Sequence, residues 1–327
     1  MRTRVLGRTG LEVSELIFGC GDVGGLLVRG EPAEMERAIA RAIDAGCNWF
    51  DTAAAYGGGK SEESLGRILS GLATKPRVST KVRLDLAKLD DLADKVERSV
   101  EASLKRLRRS SVDLLQFHNA VARETGGRAI AEREVLKTGG VADALDRMRE
   151  QGLTRFVGFT ALGEAAACRR VIESARFDAA QVYYNMLNPS AARAMPAAWT
   201  GQDFAELLSA CRAQKMGVIA IRVLGAGILA TDARHGREVI LTSDTAVAEE
   251  ERKAAALFRA LGSAHGSRAQ TAIRFVLANP DVSAVNVGFA STAQLEEALG
   301  AFERGPLPSA ALAAIEKLYE TDFPAGA

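Results

Sequence analysis

Short apolar or β-branched runs alternate with longer segments of 3.6-residue hydrophobic period along nearly the whole chain. The runs that predict strands are 16–20 (LIFGC), 48–52 (NWFDT), 77–82 (RVSTKV), 112–118 (VDLLQFH), 155–160 (RFVGFT), 179–184 (AAQVYY), 217–223 (GVIAIRV) and 283–288 (SAVNVG). Helical periodicity predicts 32–46, 61–71, 91–108, 140–151, 163–175, 202–214, 247–262 with 267–278, and 292–300. The first of these opens on Pro32 and closes on Gly46, the residue types favoured just inside a helix start and just past its end. Eight βα units in series predict parallel strands joined by right-handed crossovers, and a closed (β/α)8 TIM barrel, α/β in class, fits that count.

Residues 1–14 turn at Gly7-Arg8-Thr9-Gly10 and read as an N-terminal β-hairpin placed to cover the barrel floor. Extended loops at 119–139, 185–201 and 224–246 follow the fourth, sixth and seventh strands. In a barrel they rise on the C-terminal face, where active sites are built. No Pro/Gly/Ser linker or charge block interrupts the series, so residues 1–327 are expected to form a single domain.

With 47% hydrophobic residues, 25% charged residues and a net charge of +1, the chain has no overall attraction to nucleic acid or to an anionic membrane. A small-molecule partner is expected instead. No apolar segment follows Arg2 and Arg4, and none elsewhere approaches the ~20 uncharged residues that span a bilayer, so a cytoplasmic location is expected. Cys20, Cys47, Cys168 and Cys211 are scattered without CxxC spacing and read as buried structural thiols, with no metal site implied. The pattern leaves the oligomeric state open, and a monomer is consistent with it.

Titratable residues close three successive strands: Asp51 the second, Lys81 the third and His118 the fourth, with Tyr56 five positions past Asp51 on the same face. Each alone is more commonly a structural ion pair or a satisfied core histidine. Three neighbouring strands about 4.8 Å apart bring an acid, an ammonium and an imidazole to one rim, with a phenol above them. A phenol with a pKa near 10 is a poor acid at neutral pH; an adjacent ammonium favours its ionised form, and a carboxylate keeps that ammonium charged and aimed. His118, as a donor, orients or polarises a carbonyl oxygen. The other two histidines, His235 and His265, fall in loop or helix-end contexts.

The run GGGKS at 57–61 invites a phosphate-loop reading, but the position that needs the first glycine is Ala54, and Tyr56 crowds the cradle. KSEESLGRIL instead predicts a helix start with Ser61 as N-cap and Glu62 and Glu63 in the first turn.

The stretches RVLGRTGLEVSELIFGCG, AIDAGCNWFDTAAAYGGGKSEESLGRIL, VSTKV, VDLLQFHN, GLTRFVGFT, QVYYN and VNVGFASTAQLEEAL, in this order, resemble the aldo-keto reductase family over nearly the whole chain, in the style of its microbial aldose dehydrogenase-like members. The resemblance implies a catalytic tetrad of Asp51, Tyr56, Lys81 and His118. It further implies hydride transfer between a nicotinamide nucleotide and a carbonyl or alcohol substrate (an aldehyde, a ketone or an aldose), with the tyrosine as general acid/base. The cofactor implied is NADPH, with NADH as the alternative, stretched across the C-terminal face without a GxGxxG turn.

For the cofactor the resemblance points to Cys20 and Gly21 after the first strand, Asp51, Thr160, and Gln181 for the carboxamide. It adds Ile221, Arg222, Leu224 and Gly227 after the seventh strand, with Ile221 against the ring and Arg222 toward the pyrophosphate. Gly288, Ala290, Gln294, Glu297 and Ala298 follow the eighth. No cation lies in the loop GFASTAQ at 288–294, so main-chain N–H groups at the helix start are the expected phosphate donors. Two other functions use the same residues: a nucleotide-sensing barrel without catalysis, and a Schiff-base lyase in which Lys81 attacks a carbonyl.

Overall fold

Two short antiparallel strands, β1 (Thr3–Val5) and β2 (Glu12–Ser14), form the N-terminal hairpin. They belong to a computed structural model that describes residues 1–234, 236 and 246–323. Gly10 at the hairpin turn has φ of 68°, a left-handed conformation that a glycine adopts without cost. The barrel follows with β3 (Leu16–Gly19), β4 (Trp49–Asp51), β5 (Arg77–Val82) and β6 (Val112–Phe117). A small parallel pair, β7 (Ala120–Ala122) and β8 (Ala129–Ala131), occupies the long loop after β6. The barrel resumes with β9 (Thr154–Ala161), β10 (Ala179–Tyr183), β11 (Gly217–Ile221) and β12 (Ala284–Gly288).

The closed, all-parallel order is β3-β4-β5-β6-β9-β10-β11-β12, with β12 returning to β3. All eight expected strands are therefore present and joined as a (β/α)8 barrel. The seventh ends two residues earlier than its hydrophobic run, because Arg222 adopts φ of 60° and leaves the extended conformation.

Strand alternation sends every second side chain into the barrel. At the floor these are Ile17, Trp49, Leu114, Phe156, Ala179, Ile219 and Ala284, packed with Leu6, Leu11 and Val13 of the hairpin. The hairpin thus closes the N-terminal end as a plug. Arg4 fixes it there by donating to the carbonyls of Leu277, Asn279 and Val282 at 2.8, 3.2 and 2.9 Å. These lie at and beyond the end of helix Arg268–Leu277, where backbone acceptors have no partner within the helix.

The helix predicted to begin at Ser61 runs over Lys60–Ser70, and Gly59, with φ of 99°, is its N-cap. Ser61 does not cap it. Its hydroxyl turns inward, 2.9 Å from the Cys20 carbonyl and 2.8 Å from Thr52 Oγ1, because a fully buried hydroxyl in the first turn finds its partners at the strand ends. Helix Ser309–Tyr319 lies beyond the eight-unit alternation; Tyr319 OH donates to Met186 O at 2.9 Å and fastens the loop after β10. No described helix is long and apolar enough to cross a membrane. His235 and residues 237–245 of the loop after β11 lie outside the described residues.

Candidate active site

One pleat repeat above the floor layer, the inward positions become polar. Asp51 on β4 is 1% exposed and accepts four hydrogen bonds: Ser79 Oγ at 2.6 Å and Gln116 Nε2 at 3.0 Å on Oδ1, Lys81 Nζ at 2.5 Å and Asn286 Nδ2 at 2.8 Å on Oδ2. Four donors converging on one carboxylate answer the cost of burying it. Burial alone would raise its pKa, but the Lys81 charge and the converging hydrogen bonds hold it below the ordinary carboxylate range.

Lys81, also 1% exposed, donates further to Thr52 O at 2.8 Å and to Tyr56 OH at 3.3 Å. Burial works to lower its pKa, yet Asp51 and Tyr56 together raise it, so the ammonium stays charged.

Tyr56 reaches this ammonium because of the three glycines that follow it. Gly57, Gly58 and Gly59 have φ of 59°, 63° and 99°, a left-handed run that coils the loop back over the barrel mouth. The Gly57 N–H donates to Asp22 Oδ1 at 2.9 Å, and Gly21 lies against the phenol ring, where an added Cβ would sit 3.6 Å from Cζ. The small residues around Tyr56 are thus what shape its loop. Burial raises the phenol pKa, and the lysine charge opposes that rise without reversing it. At neutral pH the phenol holds its proton.

His118 follows β6 with its N–H on Val82 O at 2.8 Å, and its ring meets Tyr56 edge to face at 5.7 Å between centroids. Desolvation, then the Lys81 charge, push its pKa down to about 3. The imidazole is neutral at pH 7, so an activity profile should show no ionisation near the ordinary histidine value of about 6.5. The rate between about pH 5 and pH 8 tests this; a fall in activity with a midpoint near 6.5 would contradict it.

Four buried polar atoms at this level have no protein hydrogen-bond partner: Gln116 Oε1, His118 Nδ1, Thr160 Oγ1 and Gln181 Nε2. Unsatisfied groups are rare in folded interiors. Their convergence on β6, β9 and β10 beside Tyr56 suits a ligand carrying both donors and acceptors, as a carboxamide does. Among the cofactor positions, Thr160 and Gln181 thus fit the nicotinamide end of a dinucleotide.

The remaining residues distribute along the rim. Cys20 is buried beside Asp51, and desolvation followed by that carboxylate pushes its thiol well up. All four cysteines are buried and free, as structural thiols. Ile221 ends β11; Arg222 is largely desolvated near Tyr56 and Tyr183, and its carbonyl accepts from Asn185 Nδ2 at 2.9 Å. Leu224 and Gly227 frame the tight turn that follows. Gly288 ends β12 beside Gly19. Ala290 and Gln294 bond to each other, N–H to Oε1, at 2.8 Å. Glu297 is exposed, whereas Ala298, the next residue of the helix, is 2% exposed and packs into the core.

Ser79, Gln116, Asn286 and Asn119 did not stand out in the linear pattern. The first two precede Lys81 and His118 by two positions, the spacing that puts two residues on the same face of a strand. Asn119 bonds the main chain of Leu84 through both side-chain atoms, at 2.8 and 3.0 Å, and so ties the loops after β5 and β6. Asn286 reaches Asp51 only because Gly19 has no side chain: a Cβ there would lie 2.5 Å from Asn286 Oδ1 and 3.0 Å from the Val287 backbone. Gly19→Ala should therefore cost about 1–3 kcal/mol. Thermal unfolding checks this, and an unchanged midpoint would refute the close approach.

Comparison with known proteins gives a family model described as the Aldo/keto reductase family, matching residues 15–320. The L-galactose dehydrogenase of Arabidopsis thaliana is 27% identical over 91% of this chain and 87% of its own length. The D-threo-aldose 1-dehydrogenase of a Pseudomonas species is 30% identical over 68% of this chain and 69% of its own. Among solved structures, the holo form of an aldo-keto reductase from Bacillus halodurans superposes with a TM-score of 0.75 at 20% identity, covering 100% of this chain and 99% of that one.

Proposed function

Because the chain belongs to the aldo/keto reductase family and is an NAD(P)H-dependent oxidoreductase, we propose that its site interconverts a small aldehyde, ketone or aldose with the corresponding alcohol or lactone, with Tyr56 as the proton donor and acceptor. The observation that carries this reading is the chain of contacts from Asp51 to Lys81 Nζ to Tyr56 OH at 2.5 and 3.3 Å. The nicotinamide supplies or takes the hydride. Tyr56 OH gives its proton to the substrate oxygen during reduction, and the Lys81 charge stabilises the phenolate left behind. Neutral His118 offers an N–H to the same oxygen. Thr160 and Gln181 would hold the carboxamide, and Arg222 would face the phosphates. The names of two relatives support an aldose as substrate, and residues 1–327 are read as one catalytic unit.

A Schiff-base role for Lys81 is opposed by its raised pKa, since a nucleophilic amine must be uncharged. A sensing barrel without turnover has no need of the ordered proton donor. The test is nicotinamide absorbance during incubation with a panel of aldoses, aldehydes and ketones: turnover of at least one class is expected, and tight nucleotide binding without turnover of any would reject the reading. Gln181→Ala, which removes the amide partner, should weaken nucleotide binding about tenfold. Fluorescence titration measures it, and an unchanged dissociation constant would remove Gln181 from the site.

A further inference from the structure

Walking round the rim from the orphaned amide of Gln181 on β10, the next loop carries Arg222 after β11, and the next is the turn after β12. If the nicotinamide end lies at Gln181, as the proposed function holds, the adenosine end reaches the turn at 288–291 and the start of helix Thr292–Arg304. Barrels commonly bind phosphate at such a place, through free main-chain N–H groups and nearby cations.

Here three of those donors are engaged. The Ala290 N–H donates to Gln294 Oε1 at 2.8 Å, the Gln294 N–H to Ser291 Oγ at 3.3 Å and the Thr292 N–H to Glu34 Oε1 at 3.0 Å. Residues 288–297 contain no Lys, Arg or His, and they end in Glu296 and Glu297. Of the cations on adjoining elements, Arg41 holds Glu296 at 2.6 and 3.0 Å, Arg29 donates to Asp22 O at 2.6 Å and Arg268 pairs with Asp232, while Arg37, one turn past Glu34 on the same helix, is exposed. What stands at this helix start is the half-buried carboxylate of Glu34, from the first turn of helix Pro32–Asp44.

We propose that Glu34 is a specificity-determining residue that selects NAD(H) over NADP(H). A carboxylate accepts hydrogen bonds from the 2′- and 3′-hydroxyls of an unphosphorylated ribose. It repels a 2′-phosphate, and residues 288–297 offer no cation of their own to hold one. On this proposal NADH, the alternative to the NADPH that the family resemblance implies, is the preferred nucleotide, for a reason local to this chain.

Fluorescence titration of the full-length protein with NADH and with NADPH tests the assignment, alongside Glu34→Gln and Glu34→Arg, each checked for an unchanged unfolding midpoint. The wild type should bind NADH at least ~10-fold more tightly than NADPH. Glu34→Gln should narrow that ratio, and Glu34→Arg should narrow it further or invert it, chiefly through tighter NADPH. Equal or tighter binding of NADPH by the wild type, or a ratio unmoved in both variants, would overturn the proposal. Binding of neither nucleotide would instead overturn the dinucleotide reading on which it rests.

Discussion

Tyr56→Phe is expected to lower turnover by about 10²- to 10⁴-fold while leaving nucleotide affinity near that of the wild type. The substitution removes one hydroxyl and keeps the ring that contacts Gly21 and His118, so the loop conformation set by Gly57, Gly58 and Gly59 persists. The loss falls on the chemical step because the phenol proton moves only in the transition state. Steady-state kinetics with a parallel nucleotide titration separate the two quantities. A variant with wild-type turnover would show that the proton comes from elsewhere, and one that fails to bind nucleotide would show that the hydroxyl is a ligand contact instead.

Lys81→Met should be as damaging to turnover and should also destabilise the fold. Without the ammonium the departing phenol proton has no charge to compensate it, and the Asp51 carboxylate keeps only Ser79, Gln116 and Asn286 as partners. Breaking a buried ion pair from one side costs about 3–5 kcal/mol. The pH dependence of that cost follows from Asp51. In the wild type its pKa is depressed, so the pair's contribution is present above the usual carboxylate range and is lost as pH falls through the depressed value. In the variant, burial is opposed by neutral donors alone, and Asp51 takes up a proton at higher pH. The stability gap between the two proteins should therefore shrink in acid. Thermal unfolding at neutral and acidic pH checks the sign; a gap that widens in acid would contradict it.

The same arrangement explains which parts of the molecule were legible in the chain. Strand runs such as RVSTKV and VDLLQF carry buried apolar residues at alternate positions, Val78 and Val82 in one and Leu115 and Phe117 in the other, and their limits at Arg77–Val82 and Val112–Phe117 match the expected runs within a residue. Asp51, Lys81 and His118 were conspicuous because ionisable groups at the ends of apolar runs are costly. Ser79, Gln116 and Asn286 were not, since short polar residues inside strands are common and only closure of the barrel brings all three onto one carboxylate.

Gly59, not the expected Ser61, caps its helix for a related reason. Hydroxyls favour helix starts, but this one is fully buried beneath Cys20 and Thr52, and the tertiary partners win. The contact between Glu34 and Thr292 is hidden by distance, because the two lie 258 positions apart. No local pattern reports a contact of that separation.

The central claim is that the proton exchanged with the substrate oxygen is the one on Tyr56, held beside Lys81. It is tested most directly by single-turnover hydride transfer, followed through nicotinamide absorbance across an alkaline pH series in the wild type and in Tyr56→Phe. The wild type should reduce its carbonyl at a steady rate at neutral pH and lose that rate as pH rises through the raised pKa of the phenol, because the acid form is the reactive one. Tyr56→Phe should be slow throughout and show no such fall. The same alkaline decline in both proteins, at comparable rates, would place the proton donor on another group.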